Sequence, residues 1–383
     1  MKKILIISTI KIPPFILGNQ KCISEYCDLL TRMGYELHFL VCVYKNEDVS
    51  QMRDYWGDRL HLFYILNNNI WQKIKNKIRA KFIRLRYRLS GDYNHVDDFY
   101  PIGLESFVEE LQDKQHFHAI IINYVTLSKV FEGNLNCKKI IYTHDCMSFK
   151  KLRYNMSSFW IDLKPNEEAK GLQRCDVVLS IQENESVYFK YLHPQGSIIT
   201  VYSYFETHQQ ELTYNKNVLF LSGTSQLNVN GIKTFIRDVW PLVLEKEPQA
   251  TLIIGGSICK VIGEVKGSRV KIVGIKENLD DFYKLGDVAI NPVYQGTGLK
   301  IKTFEAMSYG KVTIVHPHSA EGIYKPQEAP LLIGKTPLEF ASHIVNALNN
   351  SKIRKEYALK GIKYIDGLNA YIEKQYRDVL ESL

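Results

Sequence analysis

From residue 291 to residue 310 the chain reads NPVYQGTGLKIKTFEAMSYG. An apolar strand, DVAINP, ends in Asn291-Pro292. Gly296 and Gly298 then flank Thr297, and a helix opens with Lys300, Lys302 and Glu305 in its first turns. Glycines in such a turn let the backbone come close to a ligand, and the N–H groups at a helix N-terminus carry about half a positive charge. An anion fits there. Lys300 and Lys302 add two full charges, enough to hold a diphosphate and stabilise it as a leaving group. Glu305, one turn on, is an acceptor of the kind that takes two ribose hydroxyls. Together these features suggest a nucleoside diphosphate. The same letters also suit a solvent-facing helix whose Ile301, Phe304 and Met307 turn to the core.

Outward from this stretch, short apolar runs alternate with amphipathic helical patterns, the mark of a parallel sheet covered on both faces. KILIIS (residues 3–8) reads as a buried strand. Gly18-Asn19 open a helix to about Met33, Gly34 caps it, and ELHFLVC, HLFYIL, HAIIIN, KKIIYT, DVVLSI and IITVYS continue the series. Residues 204–216 are polar and irregular, as in an interdomain linker. A second series follows with VLFLSG, a helix over 229–246, TLIIGG, RVKIVG, DVAINP, the helix opened by Gly298, KVTIVH and two closing helices. The expectation is an α/β chain with two doubly wound domains in tandem, 1–203 and 217–366, and a last helix, 367–383, crossing back to the first. In such sheets ligands bind beyond the carboxyl ends of the strands, where the opening stretch lies.

The 383 residues are enough for two cores, and 45% hydrophobic with 23% charged residues excludes a disordered chain. Cys22, Cys27, Cys42, Cys137, Cys146, Cys175 and Cys259 follow no disulfide or metal spacing and read as buried thiols of a reducing compartment. MKKILIIST imitates a signal peptide, but Pro13-Pro14 follow at once and no cleavage site appears, so it is read as the first strand. No run approaches the ~20 residues of a membrane helix. The pairs Asp97-Asp98 and Asp280-Asp281 invite a metal, but neither is D-x-D at a strand end. G-x-S-x-G, H-E-x-x-H and Walker motifs are absent.

The opening stretch resembles the donor site of the GT-B glycosyltransferases, in particular retaining family 4 and its branch with the pattern G-x-G-x-(R/K)-x-K-x-x-E-A-M-x-x-G. Gly296, Gly298, Lys300, Lys302, Glu305, Ala306, Met307 and Gly310 fall on it, and Ala320-Glu321-Gly322-Ile323 looks like that family's "eGi" loop. VLFLSG, Asn228-x-Asn230-Gly231, Trp240-Pro241 and TLIIGG resemble the preceding elements. In the first half, Thr143-His144-Asp145 resembles a strand end "HD", and DVVLSIQENE a strand ending in "aIq.eE". The resemblance implies the GT-B fold, two Rossmann-like domains facing a cleft, with acceptor bound by the first and nucleotide sugar by the second. It implies that His144 touches the transferred sugar near its anomeric centre, that Asp145 orients it or meets the acceptor, and that Lys300 serves the leaving group. Gly18 matches a loop approaching donor phosphate and acceptor; as a plain helix-start glycine it would need no such role. Gly223, Gly296, Thr297, Gly298, Lys302 and Glu305 complete the donor site. Two positions depart: Thr297 stands where many members carry a second Glu, and the usual Arg and Lys after the first C-terminal strand are missing beyond Gly223. The diphosphate then rests on Lys300 and Lys302. No metal and no cofactor is expected.

One stretch falls outside this pattern. Lys73, Lys75, Lys77, Arg79, Lys81, Arg84, Arg86 and Arg88 run without an acid, while Trp71, Ile74, Ile78, Phe82, Leu85 and Leu89 keep three- and four-residue spacing. An amphipathic helix over about 70–90 of this kind suits an anionic membrane surface, each cation contributing about 1 kcal/mol near the headgroups; it also suits packing on the first domain. Nucleic acid ranks well below a membrane and is not expected as partner, because interleaved aromatics suited to stacking are few and no nucleic-acid module appears. The expected function is transfer of a sugar from a nucleoside diphosphate to a glycan or polyprenyl-linked acceptor, in bacterial surface polysaccharide synthesis at the cytoplasmic face of the membrane. The alternatives are a nucleotide-sugar 2-epimerase of the same fold and a non-catalytic partner subunit.

Overall fold

The structure, a computed structural model, describes residues 2–14, 18–65, 70–154, 156, 159–263, 269–276, 278–296 and 298–381, with backbone only for 70–76. It divides into two compact units, Met1–Ser203 with Ile372–Leu383, and Tyr204–Tyr371. The first unit is built on β1 (Lys3–Ser8), β2 (Glu36–Val43), β3 (Leu60–Tyr64), β4 (Ala119–Asn123), β5 (Lys138–Tyr142), β6 (Val177–Ser180) and β7 (Ser197–Thr200). They form one parallel sheet in the order β3-β2-β1-β4-β5-β6-β7. The second unit holds β8 (Asn217–Leu221), β9 (Thr251–Gly255), β10 (Val270–Gly274), β11 (Val288–Asn291), β12 (Val312–Val315) and β13 (Leu331–Ile333). Their parallel order is β10-β9-β8-β11-β12-β13. Each unit therefore starts in the middle of its sheet, winds one way, and returns to wind the other, leaving a switch point between β1 and β4 and between β8 and β11.

The central strands are apolar without alternation because helices cover both faces, and Ile4–Ile7 and Ala119–Ile122 are fully buried. Along the second switch point the pairing of β11 with β8 ends at Ala289, so Ile290 and Asn291 run on beside β12 alone.

Four details differ from the sequence reading. The helix expected over 229–246 is two, Gln226–Asp238 and Trp240–Lys246, because Pro241 lacks an N–H and disfavours helical backbone at the residue before it. The helix after Gly298 starts at Ile301 with Lys300 as its cap, since the positive φ of Gly298, 71°, cannot belong to a right-handed helix. The short edge strand β13 went unread. The closing helix is one continuous piece, Ser351–Glu381, and does not begin near Gly367.

Tyr364, Ile365 and Leu368 of that closing helix are buried in the second unit. There Asn369 exchanges hydrogen bonds with the backbone of Phe205, at 3.1 and 2.7 Å. Ile372, Tyr376, Val379 and Leu380 are buried in the first unit, where Lys138 donates to the Val379 carbonyl (2.6 Å). Residues 204–216 form neither helix nor strand, but the backbone N–H groups of Thr213 and Tyr214 donate to the buried carboxylate of Asp287, at 2.8 and 2.6 Å. All seven cysteines are free thiols. Among the described residues no helix is long and apolar enough to cross a membrane.

Candidate active site

In the second unit the turn after β11 is built to stay open. Asn291 donates to Thr303 Oγ1 (2.9 Å), Thr303 to the Ser319 carbonyl (3.2 Å), and Ser319 Oγ to the Val293 carbonyl (2.7 Å). These bonds tie the strand end, the helix Ile301–Ser308 and the 317–320 turn together. Gly296 and Gly298 sit at φ 137° and 71°, values open to glycine. A Cβ on Gly231 would come within 3.1 Å of Val293 Cα, so glycine there lets the helix Gln226–Asp238 reach the turn. Thr297 lies outside the described residues.

The helix Ile301–Ser308 presents its N-terminus at this turn, with Lys300 as the capping residue and Lys302 in the first turn. Lys302 Nζ donates to Asn228 Oδ1 (2.9 Å), and Asn228 Nδ2 donates to the Gly223 carbonyl (3.1 Å). Gly223 thus enters through its carbonyl; a Cβ there would meet only Ser257, at 3.8 Å. Burial first, and the charge of Lys300 second, lower the Lys302 pKa to about 8. Its hydrogen-bond partner is a neutral amide, and the carboxylate of Glu305 acts against the shift; Lys300 donates to the Gly298 carbonyl (3.4 Å). Glu305 is buried, and Tyr283 donates its hydroxyl to Oε1 at 2.9 Å, which orients the carboxylate. Tyr283 in turn stacks on Tyr309, ring centroids 4.3 Å apart.

In the first unit His144 and Asp145 follow β5. His144 is buried, has φ 57° and places Nε2 2.6 Å from Asn123 Oδ1. Asn123 ends β4 and donates Nδ2 to the Ile7 carbonyl on β1 (3.1 Å), so its oxygen faces the ring. Nε2 must then donate, and Nδ1 is left as the acceptor nitrogen. Burial lowers the His144 pKa to about 3, which keeps the imidazole neutral at physiological pH. Tyr124, also at positive φ (71°), packs its ring 4.8 Å from that of His144, and its hydroxyl lies 3.4 Å from Asn19 Nδ2. Gly18 heads the helix Gly18–Arg32, whose next residue, Asn19, makes that contact with Tyr124.

Asp145 is ion-paired with the buried Lys150. The resemblance implies that it orients the sugar or meets the acceptor; Lys150 compensates its charge within the same loop. Glu168 fixes the next residues, accepting from the backbone N–H groups of Met147 (2.7 Å) and Ser148 (2.9 Å). Burial first, then the charge of Asp145, raise the Glu185 pKa above the ordinary carboxylate range. The acidic pairs have local partners: Asp97 meets Arg174 (2.6 Å) and Lys170 (3.0 Å), and Asp98 meets Arg86. In the second pair Asp280 receives His208 (3.2 Å).

Sequence reasoning missed Asn123, Lys150, Glu168, Asn228 and Tyr283 as site residues. Asn123 and Asn291 alone carried a shared signal: each closes the strand that returns beside the first of its sheet.

Residues 215–350 match the family described as Glycosyl transferases group 1. That span holds every residue of the second unit that the resemblance assigns to a donor site. A protein of Klebsiella pneumoniae, "Uncharacterized 44.6 kDa protein in cps region", is 22% identical, covering 95% of this chain and 96% of its own. Among solved structures, a mutant of S. aureus TarM in complex with fondaparinux, alpha-GlcNAc-glycerol and UDP has a TM-score of 0.69 at 12% identity, with 99% of this chain and 100% of that chain covered. Anabaena HepE in complex with UDP has a TM-score of 0.67 at 13% identity, with 100% of both chains covered. At such identities the likeness is one of fold: two parallel-sheet, Rossmann-like units of the GT-B glycosyltransferase kind.

Proposed function

We propose that this chain is a retaining glycosyltransferase, moving a sugar from a nucleoside diphosphate to a saccharide or lipid-linked acceptor in bacterial surface polysaccharide assembly. The observation that carries the reading is the cationic corner of the second unit. Lys302, its pKa lowered to about 8 by burial and by the charge of Lys300, stands at a helix N-terminus after a turn of positive-φ glycines. A diphosphate placed there relieves the repulsion and completes the coordination of the exposed N–H groups. Glu305, oriented by Tyr283, is positioned for ribose hydroxyls. UDP in the TarM and HepE complexes and the cps-region relative support donor class and setting.

In the reaction an acceptor hydroxyl attacks the anomeric carbon on the face the diphosphate leaves. The new C–O bond forms as the sugar–phosphate bond breaks, the electron pair stays on the diphosphate, and a departing phosphate oxygen takes the acceptor's proton. Lys300 and Lys302 stabilise the added charge. His144, neutral, takes part by hydrogen bonding to sugar hydroxyls and not as an acid.

Thermal melts with UDP, GDP and their sugars test the donor class, because a ligand at 100 times its Kd adds about 2.7 kcal/mol and a shift of a few degrees. The expected result is stabilisation by one nucleoside diphosphate, and its release from the sugar donor only when a saccharide acceptor is present. Turnover of donor alone would indicate the epimerase. Absence of any nucleotide effect would remove the donor site.

A further inference from the structure

The helix Ile70–Leu89 carries no acidic residue and packs with its polarity reversed. An ordinary amphipathic helix turns its apolar stripe inward. Here Arg79 donates to the carbonyl of Asp97 (2.8 Å), Arg86 pairs with the buried carboxylate of Asp98, and Lys151 reaches the Tyr87 hydroxyl (3.4 Å). The apolar stripe faces out: Ile78, Phe82, Leu85 and Leu89 are 64%, 61%, 57% and 79% exposed. Alongside it, one residue earlier at each step, runs an exposed stripe of Lys77, Lys81, Arg84 and Arg88. The side chains of Trp71 and Ile74 lie outside the described residues.

Exposed Phe99 and Trp160 stand in the same unit, and rings lead from them to His144. Phe99–Trp160 centroids are 6.2 Å apart, Trp160–Tyr124 6.3 Å and Tyr124–His144 4.8 Å. A cavity of about 360 Å³ between the helix and the segment that follows it is lined by Arg79, Phe82 and Arg86 and by the acids Asp97, Asp98 and Glu105, among others.

We propose that this face docks on an anionic lipid bilayer, the stripe 78/82/85/89 entering the boundary between headgroups and chains and the stripe 77/81/84/88 meeting lipid phosphates. Charge selects the occupant. A second copy of the chain would bring an identical row of cations against this one, whereas an anionic bilayer complements both stripes at once. The docking stands on its own. That the ring row leads a lipid-borne acceptor to His144 rests on the glycosyltransferase reading.

The test is co-sedimentation of the full chain with phosphatidylglycerol–phosphatidylcholine vesicles and with phosphatidylcholine alone. It is run at about 0.1 M salt and at about 1 M, where the Debye length falls from about 10 Å to about 3 Å. Wild type should pellet at least about tenfold better with anionic vesicles at the lower salt. A triple variant (Ile78→Ser, Phe82→Ser, Leu85→Ser) and a quadruple variant (Lys77→Gln, Lys81→Gln, Arg84→Gln, Arg88→Gln) should each lose that binding while keeping wild-type melting and UDP affinity. All seven side chains are exposed, and Arg79 and Arg86 stay to hold the helix. Equal partition on both vesicle types, or variants that still pellet, would overturn the proposal. So would a concentration-dependent oligomer that the triple variant abolishes while vesicles are ignored, which would make the face a self-interface. Failure of UDP binding in wild type would strike the donor reading and leave the docking intact.

Discussion

Both units place their chemistry beyond an asparagine at the end of the strand that returns beside the first, Asn123 on β4 and Asn291 on β11, yet they handle charge in opposite ways. In the first, Asp145 meets Lys150, Glu168 is capped by backbone N–H groups, and His144 is neutral. In the second, Lys302 feels the charge of Lys300, offset in part by Glu305, and has a neutral amide for hydrogen-bond partner. The same topology thus carries one strand end whose charges are compensated locally and one that sets Lys300 and Lys302 beside the single carboxylate of Glu305. Charge, more than fold, distinguishes the two halves.

The contrast breaks first if the cations are removed. Lys300→Ala with Lys302→Ala should lower turnover by about 10²- to 10³-fold, the loss of leaving-group stabilisation, and weaken UDP in calorimetry. Unchanged nucleotide affinity in this double variant would erase the difference between the units. Next in size, Asn123→Ala frees the imidazole of His144 to turn, and kcat should fall about 10- to 100-fold with UDP affinity intact. If kcat holds, the hydrogen bond between Asn123 and His144 serves only the fold.

The effect of pH is smaller and has a definite sign. Lys302 loses its proton as pH rises through about 8, so UDP affinity should fall by up to about tenfold per unit above that point. Lys302→Arg should flatten the curve, because guanidinium keeps its proton there. A wild-type curve flat across this range would place the diphosphate elsewhere. The smallest expected effect belongs to Glu185. With a folded pKa raised above its unfolded value, the buried acid binds its proton more tightly when folded, so stability falls as pH climbs past the ordinary carboxylate range. Glu185→Gln should remove that slope, a difference of a few degrees in Tm between about pH 5 and about pH 8. Parallel slopes in the two proteins would show Glu185 ionised in the fold.

Much of the architecture was legible because buried parallel strands are written as unbroken apolar runs, and Gly296 and Gly298 mark the turn of positive φ after β11. What stayed hidden depends on partners far apart in sequence. Asn123 acquires its role from Ile7 and His144, and Glu305 its orientation from Tyr283. Neither pairing leaves a local pattern. The reversed helix shows the limit from the other side: its two stripes were plain in the letters, but which one faced inward was settled by carbonyls and a carboxylate at residues 97 and 98. The three-residue β13 was too short to announce itself.

The closing helix Ser351–Glu381 bears on how the chain is made. Ile372, Tyr376, Val379 and Leu380 are core residues of the first unit, whose other residues end at Ser203. At about 5–20 residues per second, a ribosome needs roughly ten to thirty seconds to reach them after that point. Through that interval the second unit can complete its own sheet while the first, begun earlier, still shows an apolar seam to solvent or to a chaperone. The part of the chain begun first is closed last, and a fragment stopping at Ser203 would keep that seam open.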